Sequence, residues 1–240
     1  MTDPSSFDAV ARMYDTARPS YPREAVDWLV ADDASVIVDV GAGTGKFTRL
    51  LARPGRVVIA VEPSANMRRE LCAALPEVEV LDGSAEAMPL PDSSAEAITF
   101  AQAWHWVDVR AASEEAARVL RPGGTLGLVW NLRDERVPWV RQLGEAMRAD
   151  GDHFRGVDDD PDVDAPFGAG ERRYIEWAQP STHVAILDMV RSRSYFALLS
   201  EAEQGETLRA VQDVLVRHPA TAAGRVHVPY VTASYRFVRP

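Results

Sequence analysis

The sequence predicts an α/β protein built on a mostly parallel sheet. Short apolar, β-branched runs end in glycine or acidic residues, helical patterns alternate with them, and a final stretch from Val226 to Val238 reads as a closing strand. Such alternation implies right-handed crossovers and a sheet covered on both faces.

Taken in order, Val36 to Val40 has the composition of a buried parallel strand, and Val57 to Val61 repeats it before Glu62-Pro63. Weaker strands are expected at Val78 to Leu81 and Ala97 to Ala101, and a stronger one at Thr125 to Trp130 after the turn Pro122-Gly123-Gly124. Between them, Met67, Leu71 and Leu75 recur every four residues in a helix over Ala65 to Leu75, with Ser64 as its N-cap. Ala111 to Leu120 reads as a second helix, stopped by Pro122. After Asn131 the pattern changes. Val137 to Ala149, Val184 to Leu199 and Glu206 to Arg217 read as helices, Arg172 to Gln179 as a strand, and Gly151 to Gly170 as a long loop. One domain over residues 1–240 is expected, with a distinct N-terminal segment 1–30 and an insertion at about 132–170.

Composition narrows the function. With 46% hydrophobic and 26% charged residues the chain is in the globular range. No run approaches the ~20 apolar residues of a membrane span, and the polar, acidic start lacks the features of a signal peptide. Cys72 is the single cysteine, which excludes a disulfide framework and a thiolate metal cluster. A cytoplasmic location is expected. The net charge of −10 argues against nucleic acid. Much of the acidity lies in Asp158, Asp159, Asp160, Asp162 and Asp164, which reads as a solvated loop, and no metal site is expected.

The informative motif is Asp39-Val40-Gly41-Ala42-Gly43-Thr44-Gly45, a glycine turn between strand and helix that lets a ligand approach backbone amides. A P-loop needs four residues between its glycines and then Lys-Ser/Thr, whereas three separate Gly41 from Gly45 and Phe47 follows Lys46. A dinucleotide fingerprint needs glycine where Lys46 stands. What fits is Asp-x-Gly-x-Gly-x-Gly, with a carboxylate at the strand end.

This motif resembles motif I of the class I S-adenosylmethionine-dependent methyltransferases, and the resemblance runs through most of the chain. It implies a Rossmann-like three-layer sandwich with sheet order 3-2-1-4-5-7-6 and strand 7 antiparallel. It implies S-adenosylmethionine as cofactor, with Asp39 toward the ligand's ammonium group and the loop residues Gly41, Gly43 and Thr44 against it. Glu62 is implied to accept the ribose hydroxyls, and Ser84 and Ala85 in Gly83-Ser84-Ala85-Glu86 to meet the adenine. Many relatives carry Asp where Ser84 stands, which leaves the Ala85 amide to read the ring. Met67 is placed to pack on adenine or fill the core. Glu115 to Gly124 resembles the family's helix–turn before strand five, and Val226 to Val238 its closing strand.

The loop Ala101-Gln102-Ala103-Trp104-His105-Trp106 lies beside the reactive methyl group in the family. Gln102 is assigned to the methionine moiety. His105 is the candidate catalytic base, set against a packing role. Trp104 and Trp106 wall a pocket or fill the core, and Trp106 is expected in the core. Tyr14-Asp15-Thr16-Ala17-Arg18-Pro19-Ser20-Tyr21-Pro22 resembles a segment of the trans-aconitate-like and menaquinone-type branch, where it folds over the cofactor as a lid. The resemblance implies Tyr14 against the methionine end and Arg18 against its carboxylate, set against a packing role for Tyr14 and a surface ion pair for Arg18. Substrate selection then falls to the insertion and to Arg191-Ser192-Arg193-Ser194-Tyr195-Phe196, whose arginines suit a carboxylate or a solvated helix face. The expected activity is methyl transfer to a small-molecule acceptor by a monomer or homodimer. The alternatives are a non-enzymatic cofactor-binding or regulatory protein and an NAD(P)-dependent oxidoreductase.

Overall fold

The computed structural model describes residues 19–147 and 160–240. Seven strands form one sheet: β1 (Val36–Val40), β2 (Val57–Val61), β3 (Glu79–Leu81), β4 (Ala95–Ala101), β5 (Leu120–Arg133), β6 (Glu171–Thr182) and β7 (Arg225–Val238). Their order is β3-β2-β1-β4-β5-β7-β6, as the resemblance implied. β1 lies between β2 and β4, parallel to both, with Asp39 opposite Ala60 on one side and Thr99 on the other. β7 runs antiparallel to β5, since Gly123 donates to Arg239 and Asp134 to Pro229.

The helices are α1 (Arg23–Leu29), α2 (Thr48–Leu51), α3 (Ala65–Ala74), α4 (Val109–Val119), α5 (Pro138–Ala146), α6 (His183–Arg191), α7 (Ser194–Leu198) and α8 (Glu201–Arg217). Ser64 caps α3 by accepting the Met67 N–H, as its position predicts. α4 begins two residues before its expected start because Asp108 caps it. The expected helix over Val184 to Leu199 breaks into α6 and α7 around Ser192 and Arg193. α8 starts five residues early, at a capping box in which Ser200 and Glu203 exchange hydrogen bonds. Pro122-Gly123-Gly124 is not a turn ahead of the strand but an excursion within it. Leu120 still pairs with Ala95, and Thr125 resumes against Ala97. A positive φ of 78° at Gly123 permits that detour.

The described residues fall into two compact units. One comprises Ser20–Asn131 with the described parts of Gly156–Ile175 and Thr232–Pro240. In it, Val26 and Leu29 of α1 and Leu51 of α2 pack on Ile37, Val58, Ala97 and Val129, which share one face of the sheet. Val38, Ile98 and Phe100 point to the other face and are equally buried, which is why these strands read as continuous apolar runs. The second unit holds Glu176–Val231 and the described part of Leu132–Arg155. Its core gathers Trp139 and Leu143 of α5, Ile186 and Val190 of α6, and Val211 and Leu215 of α8. Among the described residues no helix is long and apolar enough to cross a membrane.

Candidate functional site

The carboxyl ends of β1, β2 and β4 bring the glycine loop, Glu62 and the post-β4 loop together within the first unit. Asp39 is 1% exposed. The Thr48 hydroxyl donates to its Oδ2 at 2.6 Å and the Thr99 hydroxyl to its Oδ1 at 3.0 Å. Burial pushes its carboxyl up to about 6, against the two hydroxyls that hold it down, and the nearby Glu62 charge pushes it further up. Thr99 is the one polar residue in the expected strand Ala97 to Ala101. Its pairing with Asp39 follows only from the register.

Three glycines after Asp39 take positive φ values: Gly41 at 65°, Gly43 at 57° and Gly45 at 85°. A Cβ on Gly41 would lie 2.7 Å from the Ala103 Cβ, so the glycine loop and the post-β4 loop touch through a missing side chain. A Cβ on Gly43 would meet nothing within 4 Å. Gly41→Ala and Gly43→Ala therefore share a backbone cost of about 1–2 kcal/mol, and only the first also collides. Gly41→Ala is expected to melt several degrees below Gly43→Ala in a ligand-free thermal scan; equal melting would show that the Ala103 contact is unimportant.

Glu62 is 7% exposed at the end of β2. Its Oε2 accepts the Gly43 N–H at 2.8 Å and its Oε1 accepts the Ser64 N–H at 2.9 Å. Arg68 is a residue the motif reading missed. It donates to the carbonyls of Glu62 and Pro63 at 2.7 and 2.8 Å and takes Asp82 bidentately at 2.8 and 2.9 Å. It thus ties the turn after β2 to the turn after β3. Ser84 and Ala87 exchange backbone hydrogen bonds of 3.3 Å, and Ala85 is buried. Gly83 allows this turn to lie on Val61, since a Cβ there would sit 3.0 Å from Val61 Cγ1. Met67 is half-buried in the first turn of α3. Thr44 is buried within the glycine loop.

Gln102 takes a positive φ of 57°, unusual for a residue with a side chain. Its N–H donates to Val129 and its side-chain amide to the Asn131 carbonyl at 3.1 Å. Asn131 in turn donates to the Ser20 carbonyl at 2.9 Å and accepts from the Thr232 hydroxyl at 2.6 Å. Tyr14 and Arg18 lie outside the described residues. The chain just after them is held by Asn131 and by Tyr21, whose ring meets Phe47 edge-on at 4.9 Å.

Trp104, His105 and Trp106 form one 3-10 turn. Trp104 points inward, edge-on to Phe100 at 4.8 Å, with its Nε1 donating to the Asp162 carbonyl at 2.8 Å. Trp106 corrects the expectation of a core residue, being 73% exposed. Three residues per turn send its side chain away from that of Trp104. The Trp130 indole donates to His105 Nδ1 at 3.2 Å.

In the acidic stretch, Asp158 and Asp159 lie outside the described residues. Asp160 pairs with Arg172 at 3.1 Å, and the Asp164 N–H donates to the buried Ser113 hydroxyl. Among the described residues no cluster of His, Cys, Asp and Glu suits a metal ion. In the second unit, Arg191 is paired with Asp188 at 2.7 Å and the Tyr195 hydroxyl donates to the Met147 carbonyl at 2.6 Å.

The chain is similar to known methyltransferases. A methyltransferase domain model matches residues 38–128. An uncharacterized methyltransferase of Mycobacterium tuberculosis is 47% identical over 232 residues, 96% of this chain and 94% of the relative. The 2-phytyl-1,4-naphtoquinone methyltransferase of Thermosynechococcus vestitus is 30% identical over 60% of this chain and 77% of its own length. A protein of Anaeromyxobacter dehalogenans described as a type II methyltransferase shares the fold with a TM-score of 0.61 at 22% identity, covering 92% of this chain and 97% of that one. With near-complete coverage at 47% identity and the predicted sheet order in place, this chain belongs to the class I S-adenosylmethionine-dependent methyltransferases.

Proposed function

We propose that this enzyme transfers a methyl group from S-adenosylmethionine to a small-molecule acceptor by in-line displacement. The observation that carries the cofactor assignment is the Glu62 carboxylate, held at both oxygens by the main-chain N–H groups of Gly43 and Ser64. So oriented, each oxygen keeps a second lone pair for one of two vicinal hydroxyls. The loop beside it has no side chain at Gly43, where a ligand can lie on the backbone. The residues therefore fit the cofactor: Glu62 for the ribose, Asp39 and Gln102 for the methionine portion, Ser84, Ala85 and Met67 for the adenine.

When bound, the cofactor supplies an electrophilic methyl on a sulfonium whose departure leaves a neutral thioether. The protein's share is to align the acceptor with that methyl and to exclude water. A small-molecule acceptor is supported by the net charge of −10, which disfavours a phosphate backbone, and by the naphtoquinone-methylating relative.

The test has two stages. S-Adenosylhomocysteine at about 100 times its dissociation constant should stabilise the protein by about 2.7 kcal/mol. That raises the melting temperature by about 5–10 °C, with no shift from NAD(P). Labelled cofactor and a metabolite extract should then yield a labelled small molecule. Stabilisation by NAD(P) alone would overturn the cofactor reading, and label found only in protein or nucleic acid would overturn the acceptor class.

A further inference from the structure

Near the end of β5, three segments distant in sequence meet on Asn131. Its carbonyl accepts the Gln102 side-chain N–H at 3.1 Å, its side-chain N–H donates to the Ser20 carbonyl at 2.9 Å, and its Oδ1 accepts the Thr232 hydroxyl at 2.6 Å. All four residues lie in the first unit. Gln102 depends on such support. At a φ of 57° a residue with a Cβ is strained, and two hydrogen bonds to β5 hold it there. Its N–H donates to the Val129 carbonyl at 2.9 Å and its side chain to Asn131. Ser20 is held from a second direction as well. The next residue, Tyr21, sets its ring edge-on to Phe47 at 4.9 Å, two positions beyond the last glycine of the loop. Two adjacent residues of the chain entering α1 thus join the glycine-loop side of the site to the end of β5.

We propose that Asn131 is a positioning residue for the methionine end of the cofactor site: it couples the seating of the chain at Ser20 to the side chain of Gln102, so that ordering one stabilises the other. This rests on the methyl-transfer reading above, in which Gln102 serves the methionine portion. Any residue at position 131 offers a carbonyl to Gln102. Only a side chain that both donates and accepts at this length holds that carbonyl between Ser20 and β7. An aspartate keeps the acceptor and lacks the donor, and a leucine lacks both. The effect is reciprocal by linkage: a ligand group that orders Gln102 strengthens the seating of Ser20 by the same factor by which a seated Ser20 strengthens binding. The ribose end is built from a different set of contacts, Glu62 with the N–H groups of Gly43 and Ser64. Asn131 therefore acts on one end of the cofactor and not on the other.

The test compares S-adenosylhomocysteine with 5′-methylthioadenosine, which lacks the amino-acid portion, by calorimetry on the full chain. Asn131→Ala should weaken S-adenosylhomocysteine about tenfold and leave 5′-methylthioadenosine within about twofold. Gln102→Ala should also weaken S-adenosylhomocysteine about tenfold, and adding Asn131→Ala to it should cost less than about twofold more, because a residue acting through another then has nothing to act on. NMR of the unmodified protein gives a readout that needs no variant to fold. Saturating S-adenosylhomocysteine, but not 5′-methylthioadenosine, should shift the Asn131 side-chain amide and the Tyr21 amide proton, whose peptide carbonyl is that of Ser20. Equal losses for the two ligands would mark a purely structural role. That result, unchanged affinity in Asn131→Ala, additive losses in the double variant, or resonances that stay put or respond equally to both ligands overturn the proposal. Full affinity in Gln102→Ala overturns it while the cofactor reading stands. Failure of S-adenosylhomocysteine to bind the unmodified protein overturns the methyl-transfer reading and the proposal with it.

Discussion

Replacing Glu62 by alanine is expected to weaken S-adenosylhomocysteine binding by about 10²–10⁴-fold, the loss of two hydrogen bonds to a charged acceptor at about 1.5–3 kcal/mol each. Part of this loss is indirect. The Gly43 and Ser64 N–H groups both depend on this carboxylate, so its removal also loosens the glycine loop and the start of α3. Glu62→Gln separates the two contributions. An amide of the same shape has one oxygen, so it satisfies one backbone N–H and turns its own NH₂ toward the other. It should therefore lose nearly as much affinity as alanine despite filling the same space. Calorimetry reads both variants, and a thermal scan confirms that they remain folded. Affinity within threefold of the unmodified protein for Glu62→Gln would show that charge and paired acceptance are not what the site uses.

The carboxylate at position 62 was legible because it depends on local features: a short apolar strand, an acidic residue at its end and a proline after it. The glycine loop was legible for the same reason, since positive φ at closely spaced positions leaves a direct trace in residue type. What was not legible depends on pairing between segments distant along the chain. Thr99 reaches Asp39 across 60 residues, and Asn131 reaches Ser20 across 111. Neither Thr99 nor Asn131 belongs to a motif, and strand register alone decides that Thr99 meets Asp39. Trp130 follows the same rule. As an apolar residue at the end of a buried strand it reads as packing, yet its N–H donates to His105 Nδ1. Trp106 shows the opposite error, because hydrophobicity alone does not reveal the tight turn that turns the ring outward. The capping box at Ser200 carried a readable Ser-x-x-Glu signal, obscured by the polar first turn of α8.

Asp39 carries the second large effect, and its sign is unusual for a carboxylate. Burial raises its carboxyl to about 6 despite two hydroxyl donors. The folded protein therefore holds this proton more tightly than the unfolded chain, in which an aspartate titrates near ~3.9. The resulting stability is fully present below about pH 4 and is lost as pH rises through about 6, a difference of about 3 kcal/mol. At neutral pH the ligand-free protein thus carries a buried, ionised carboxylate at a cost to its own stability. A ligand bearing an ammonium group relieves that cost, so part of the binding energy comes from strain present before binding. Asp39→Asn keeps the shape, and the Thr48 and Thr99 hydroxyls can rotate to serve an amide. The variant should be as stable as the unmodified protein at pH 7 or more so, lack the gain in stability between pH 7 and pH 5, and bind S-adenosylhomocysteine at least about tenfold more weakly. Denaturant unfolding at pH 5, 6 and 7 with calorimetry at pH 7 reads all three. Parallel pH slopes for the two proteins would show that Asp39 does not store this energy, whatever its contribution to affinity. Glu62→Gln supplies an internal control. Removing the Glu62 charge should lower the Asp39 carboxyl and move the midpoint of that slope toward acid.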